Sequence, residues 1–446
     1  MRTTRLPAVI TCLVVAFGAA ACSGSPEAAQ PSQRPDSGAF IYGSDGNVQN
    51  GFGERFAEDP GLLEGMKGTA PAVQLGNEFK SRLSGIDPGL KDLLFAGETY
   101  DAVVVVSIAA QLAGTTDPKA IAKQINGVTI GVDACSSPAE CLALARAGRD
   151  PAYRGATLRH GLTPAGEPST ASYGIYHFGR DNRLDSGKTE YLNAGDEKGA
   201  AKDQPPAVPP AGNGRNRPLV LGGLLPVEGG LSFAYPPMIA GARLALKEVN
   251  EAGGVLGQPV QWRDGNDFTD PRKALATVQK HKADGVHVII GAGGSGVSLG
   301  VLPEVINAGM VMFSPSNTAE ALSDVNDDGL YFRSAPSDIL QARALADVML
   351  RDGVRRICIV ARGDAYGEGL MDGVRKALAA AGVPESELRT FRYDVGENGL
   401  AGEPSQISDI VGEITQLRPE GVLVIGFEES AEVIKGMSKS GLKFRR

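Results

Sequence analysis

Residues 218–263 read PLVLGGLLPVEGGLSFAYPPMIAGARLALKEVNEAGGVLGQPVQWR and hold one full strand–helix–strand period. The apolar run 219–225 predicts a strand. Ile239, Ala242, Leu246 and Val249 then recur at spacings of three and four, the stripe of a helix that packs one face on a sheet, and Gly253 with Gly254 stops it. A second strand is expected at 259–263. The period repeats downstream, with strands expected at 286–290, 311–314, 356–361, 389–393 and 422–426. Asp270 before Pro271 predicts one helix start and Asp338 another, while Ile407, Ile410, Ile414 and Leu417 line a further helix. Alternation of strand and helix predicts parallel sheets, and two consecutive series predict two similar α/β lobes.

Upstream, the pieces do not complete a domain. Strands are expected at 40–44 and 172–178, and helices at 99–113 and 118–126. The run Val103 to Val106 is far below the roughly twenty residues a membrane span needs, so a doubly buried helix is expected there. Between these pieces and the periodic region, residues 195–217 are Pro-rich and polar without apolar periodicity, and read as a linker.

The whole chain has 446 residues, 42% hydrophobic and 22% charged, an ordinary globular composition with room for two cores. Its 59 glycines are nearly twice the average share of roughly 7%, which predicts many short elements joined by tight turns. The net charge of −8 argues against nucleic acid as a partner. Residues 1–22 combine Arg2 and Arg5, a short apolar run, the small residues Ala19 to Ala21 and then Cys22. That order is a signal peptide, and it resembles a bacterial lipobox in which Cys22 carries the lipid; plain secretion with an incidental cysteine is the alternative. Residues 23–37 read as a flexible tether. In an oxidising compartment, Cys135 and Cys141, six apart in a polar loop, are expected to pair, whereas Cys358 lies in an apolar run and reads as a buried thiol.

Two motifs suggest chemistry and fail on inspection. Gly291, Gly293 and Gly296 satisfy G-x-G-x-x-G after a strand, but the next strand ends in Phe313-Ser314-Pro315-Ser316-Asn317-Thr318, without the acid a ribose needs. Instead, a glycine turn with Ser295 at a helix start offers backbone amides and a hydroxyl to a small anion. Gly296 to Gly300 has the G-x-S-x-G spacing, yet His160, His177, His281 and His287 all precede Ser298, the wrong order for a hydrolase triad. No metal-ligand or phosphate-loop spacing occurs, so neither cofactor nor metal is expected. The hydroxyl-rich turn 314–318 reads either as a helix cap alone or as a cap that also contacts a ligand at the carboxyl end of its strand.

The stretches LLPVEGG, GARLALKEVNEAGGVLGQPV, FSPSNTAEAL, YFRSAPSD and DAYGEGL resemble the leucine/isoleucine/valine-binding family of ABC-transporter substrate-binding proteins. The resemblance implies a type I periplasmic-binding fold: two Rossmann-like lobes with parallel sheets, a hinge, and a ligand between them. It also implies a changed order, because GLKFRR at the carboxyl end would continue into a strand like 40–44, so the chain resembles a circularly permuted member. On that basis lobe A takes 70–171 and 218–337, and lobe B takes 38–69, the hinge and strand region 172–194, and 338–446.

By the same resemblance, Ser295, Ser316 and Thr318 match positions that hold a ligand carboxylate, and Asp45 matches the acid that receives an ammonium group. Tyr366 matches a ring over that ammonium, a cation–π contact of about 1 kcal/mol. Phe427 stands where the family has a tyrosine, and Phe233 or Tyr235 falls near a side-chain pocket. Read from its own neighbours, Asp45 in Ser-Asp-Gly-Asn has a turn residue as its lesser alternative, and Tyr366 and Phe427 have a plain core or rim aromatic as theirs. The implied function is a monomeric, lipid-anchored receptor for a small amino acid or amide, serving an ABC permease and ATPase. A ligand sensor or scaffold of the same fold is the main alternative, and an enzyme using Ser298 the lesser one.

Overall fold

The computed structural model describes residues 38–203, 205–208, 217–397 and 402–446. Cys22, the signal segment, the tether and residues 209–216 of the linker lie outside the described residues. Five parallel strands form one sheet in the order Tyr331–Arg333, Val311–Ser314, Val288–Gly291, Val220–Leu224, Gln261–Arg263. The strand order therefore reverses between Val220–Leu224 and Val288–Gly291, where a doubly wound sheet opens a crevice at its carboxyl edge. Val288 stands opposite Leu221 on one side and Val311 on the other. These central strands are apolar throughout because helices cover both faces. Tyr331–Arg333 was not among the expected strands; three residues at a sheet edge leave no periodicity to read.

The second sheet has seven strands, in the order Leu388–Tyr393, Ile357–Arg362, Gly421–Ile425, Phe40–Gly43, Lys67–Pro71, Thr170–His177, Glu190–Gly195. The first five run parallel, and the last two form an antiparallel hairpin on the edge. Phe40 pairs with Gly421 and Gly43 with Val424, so a strand from the start of the described chain lies beside one near its end. Ala39 N–H donates to Lys443 O at 2.8 Å, and Arg445 N–H donates to Ala39 O at 2.9 Å. Counted from Ile357 through the carboxyl end and on into Phe40, the five parallel strands follow the same order as the first sheet.

Helix Ala96–Ala113 is buried along its whole length, as expected around the run Val103 to Val106, with Glu98, Asp101, Ser107 and Gln111 buried too, and it begins three residues before the expected Thr99. It crosses helix Tyr235–Glu251 so closely that a Cβ on Gly241 would meet Ala96 O at 2.2 Å. Only glycine permits that approach. Among the described residues, no helix is long and apolar enough to cross a membrane. Cys135 and Cys141 are bonded, and Cys358 is buried. Asp270 caps its helix by accepting from Arg272 N–H at 2.9 Å. At the next expected cap the structure corrects the reading: Ser337 occupies the cap position, and Asp338 is the first helical residue. Both residue types favour a helix start, so adjacent positions are not separable by propensity.

Glu98 sits in the first turn of the buried helix, where desolvation pushes its carboxyl up to about 8, the Asp101 charge adding to the rise. A carboxyl with its folded pKa above the unfolded value binds its proton more tightly when folded, so this stabilisation is complete below about pH 4 and is lost as pH rises towards 8. Glu98→Gln should therefore match the parent at pH 4 and exceed its stability at pH 8 by on the order of 3 kcal/mol. Urea midpoints at the two pH values check this, and a gap that does not change with pH contradicts it.

Candidate functional site

The loops at the carboxyl edge of the five-stranded sheet are tied together by one buried acid. Asp267, fully buried in the loop after Gln261–Arg263, accepts from Gly293 N–H at 2.7 Å and from Thr269 N–H at 2.7 Å. Its own N–H donates to Leu225 O at 3.0 Å, so one residue ties three strand ends together. Burial pushes the Asp267 carboxyl up to about 6, against the pull of the amides of Thr269, Gly293 and Gly294. The expectation that this glycine turn leaves its amides open to an anion is thus corrected at Gly293 and Gly294, where the protein's own carboxylate already sits. Ser298 is likewise internal: its Oγ accepts from Ala292 N–H at 3.2 Å inside helix Ser295–Asn307, so it is not an exposed nucleophile.

The three predicted hydroxyls differ in what they have left to offer. Ser295 Oγ accepts from Thr318 N–H at 3.2 Å and Ala319 N–H at 3.3 Å, which uses both lone pairs and leaves its proton. Ser316 Oγ donates to Gly293 O at 2.8 Å, and Thr318 Oγ1 donates to Asp338 Oδ2 at 2.9 Å. Of the three, Ser295 alone keeps a proton given to no acceptor among the described residues. Arg333 braces this loop from behind, donating to Asn317 O at 3.3 Å and Ala319 O at 2.9 Å while paired with Glu167.

On the seven-stranded sheet, Asp45 follows strand Phe40–Gly43 in a short turn, pressed against the next loop: a Cβ on Gly46 would meet Gly426 O at 2.2 Å. Asp45 Oδ1 accepts from Tyr366 Oη at 2.7 Å and from Gln341 Nε2 at 3.0 Å. Tyr366 Oη also lies 2.7 Å from Ser44 Oγ. The phenol has one proton and the carboxylate is the stronger acceptor, so Tyr366 donates to Asp45 and Ser44 donates to Tyr366. Tyr366 stacks on Phe427 at 5.5 Å, and the Arg362 guanidinium lies 3.7 Å from the same Phe427 ring centre. Phe427 is thus engaged by two protein groups and holds Tyr366 against Asp45.

Asp338 was read from sequence only as a cap, yet it stands between the two sets of loops. It is 2% exposed, takes the Thr318 hydroxyl on Oδ2, and its Oδ1 has no hydrogen-bond partner among the described residues. Burial raises its pKa first, and the charge of Asp45 raises it further. Asp45 is raised too, by burial, against the hydrogen bonds of Tyr366 and Gln341. Tyr173 completes the surround, donating to Ser337 O at 3.2 Å. No sequence signal separated Asp338 from a cap or singled out Gln341. The structure does not join Phe233 or Tyr235 to this cluster by any hydrogen bond or ring contact among the described residues; both pack at the edge of the core, and Tyr235 feels Arg243 and Asp264 instead. The arrangement suits a cation at the carboxylates and a hydrogen-bond acceptor at Ser295. Among the described residues, no group of three or more His, Cys, Asp or Glu could hold a metal ion.

Two doubly wound sheets with polar loops meeting at Asp338 define the class of fold as α/β. Residues 218–446 match a family described as periplasmic binding protein, and the chain belongs to that family. It is 29% identical over 227 residues to Leu/Ile/Val-binding protein homolog 1 of Brucella melitensis, covering 49% of this chain and 57% of that one. With Leu/Ile/Val-binding protein BraC3 of Rhizobium johnstonii it shares 29% identity over 170 residues, covering 37% and 46%. The matched region thus spans about half the length of these relatives. A solved ABC transporter substrate-binding protein from Desulfitobacterium hafniense in complex with Leu is 24% identical with a TM-score of 0.39, covering 51% of this chain and 65% of that one.

Removing the Tyr366 hydroxyl takes from Asp45 one of its two side-chain donors. Tyr366→Phe should raise the pKa of Asp45 further, because that bond favours the charged form. Carboxyl chemical shifts followed through a pH titration check the direction, and an unmoved Asp45 contradicts the assigned bond.

Proposed function

We propose that this protein is an extracytoplasmic receptor that captures a small amino acid or amide-like ligand between its two lobes and delivers it to an ABC importer. The observation that carries the reading is the buried carboxylate pair Asp45 and Asp338, with Tyr366 on one side and the uncommitted proton of Ser295 on the other. A zwitterion answers both poles: its ammonium group meets Asp45 under the Tyr366 ring, and its carboxylate meets Ser295, with Ser316 and Thr318 shaping the turn. Lobe A then comprises 72–169 and 218–337, and lobe B 38–71, 170–195 and 338–446; the expected boundaries at 69/70 and 171/172 are corrected because strands Lys67–Pro71 and Thr170–His177 lie wholly in the seven-stranded sheet. A ligand that touches both lobes stabilises the closed form, and that form is the surface the permease recognises. The protein performs no chemistry on its cargo. It acts as a monomer held to the membrane by lipid on Cys22.

The family match to 218–446, the matching strand orders of the two sheets and the pairing of Phe40–Gly43 beside Gly421–Ile425 support a circularly permuted order. A chain reordered to start at 218, run through 446 and continue directly into 38–195 should fold to the same two sheets and bind its ligand within a few-fold of the parent. Failure of that chain to fold, beside a parent that does, counts against permutation.

Isothermal calorimetry against amino acids, their amides and short ureas tests the receptor reading. At least one should bind. Asp45→Asn should weaken that ligand by about thirtyfold or more, the expected effect of removing one partner from a buried charge pair, and Ser295→Ala by roughly tenfold. No binding across the panel by folded protein, or binding indifferent to both substitutions, would sink the proposal.

A further inference from the structure

Helix Asp338–Arg351 presents two oxygens that no donor reaches among the described residues. Asp338 Oδ1 and Gln341 Oε1 both lack a hydrogen-bond partner, on side chains 2% and 0% exposed. They stand three residues apart, on one face of the helix. The orientation of the Gln341 amide is dictated by its surroundings. Its nitrogen lies 3.0 Å from Asp45 Oδ1, 3.1 Å from Thr69 O and 3.4 Å from Thr69 Oγ1, and turning the group over would set its oxygen against a carboxylate and a carbonyl. An unmet buried acceptor costs about 1–3 kcal/mol, so both oxygens call for donors from outside the chain. Asp45, bonded to the same amide, completes the group.

We propose that Gln341 is a specificity-determining residue which, with Asp338 and Asp45, forms a three-acceptor cradle for a primary ammonium group and rejects N-alkylated ones. The inference rests on the reading of this site as an amino-acid pocket. A primary ammonium group carries three N–H donors spread tetrahedrally, one for each side chain. An N-methylated ammonium carries two, which leaves one oxygen unmet and places a methyl group against it. A carboxamide also brings two N–H donors, both in one plane, and no positive charge to answer two carboxylates. Because Gln341 is neutral, it supplies the third acceptor without a third negative charge beside Asp45 and Asp338.

The test is calorimetry on the full chain with glycine, L-alanine, L-valine and L-leucine, each beside its N-methyl derivative. The parent should bind at least one primary amino acid about tenfold or more tighter than the N-methyl form. Gln341→Met keeps the side-chain length and removes the acceptor, and its preference should fall below about threefold. If Gln341 only supports Asp45, both forms weaken together and the preference is unchanged, which overturns the proposal and leaves the amino-acid reading standing. A parent that binds primary and N-methyl forms equally overturns it without recourse to the variant. A folded parent that binds none of the eight compounds overturns the inference, while the amino-acid reading falls only if the wider panel of amino acids, amides and ureas is also silent.

Discussion

Burying Asp45 takes its carboxylate out of water, and the protein returns hydrogen bonds from Tyr366 and Gln341 and the backbone but no cation. Asp338, equally buried, adds a second carboxylate to the same region rather than a balancing charge. Desolvation therefore holds both pKa values up, and each group would gain from a positive charge placed between them. In the proposed function that charge belongs to the ligand. Under that proposal, closure upon an ammonium group would relieve both carboxyl groups, of which Asp338 has only the partial pull of Arg333, and the pair would link occupancy to closure.

Around this pair the remaining polar groups are braced rather than free. Arg333 holds the carbonyls of Asn317 and Ala319, Asp267 holds the amide of Gly293, and Ser316 holds the carbonyl of Gly293. Each brace fixes the loop that presents Ser295. On the opposite side the Arg362, Phe427 and Tyr366 stack does the same for the phenol that reaches Asp45. Rotamers held in this way lose less entropy when a ligand arrives, which favours affinity.

Much of the fold was legible from residues 218–446. The expected strands there match the observed ones to within a few residues; the central ones are doubly buried apolar runs, whereas the edge strands Gln261–Arg263 and Leu388–Tyr393 are partly exposed and follow from the strand–helix alternation. The buried helix at Ala96–Ala113 and the Cys135–Cys141 bond were legible for similarly local reasons. Strands Lys67–Pro71 and Glu190–Gly195 were not anticipated: one is a short run with Gly68 and Pro71, the other an exposed edge with no apolar alternation. Ser295, Thr318, Asp45 and Tyr366 do lie in the cluster, but Asp338 hid behind its adjacent cap, and Asp267 and Gln341 carry no signal of their own.

Local physics is what the amino-acid order determined alone: where the chain turns, which runs are buried on both faces, where helices start, and that two series of parallel units exist. Which side chain meets which was decided by tertiary structure. Gln341 reaches Asp45 across 296 residues and Tyr366 reaches it across 321. Contacts that distant leave no periodicity in a sequence, since they depend on the order of strands in a sheet and on the crossing of two lobes. For the same reason the unmet oxygens of Asp338 and Gln341 become visible only when every neighbour able to donate to them is in place.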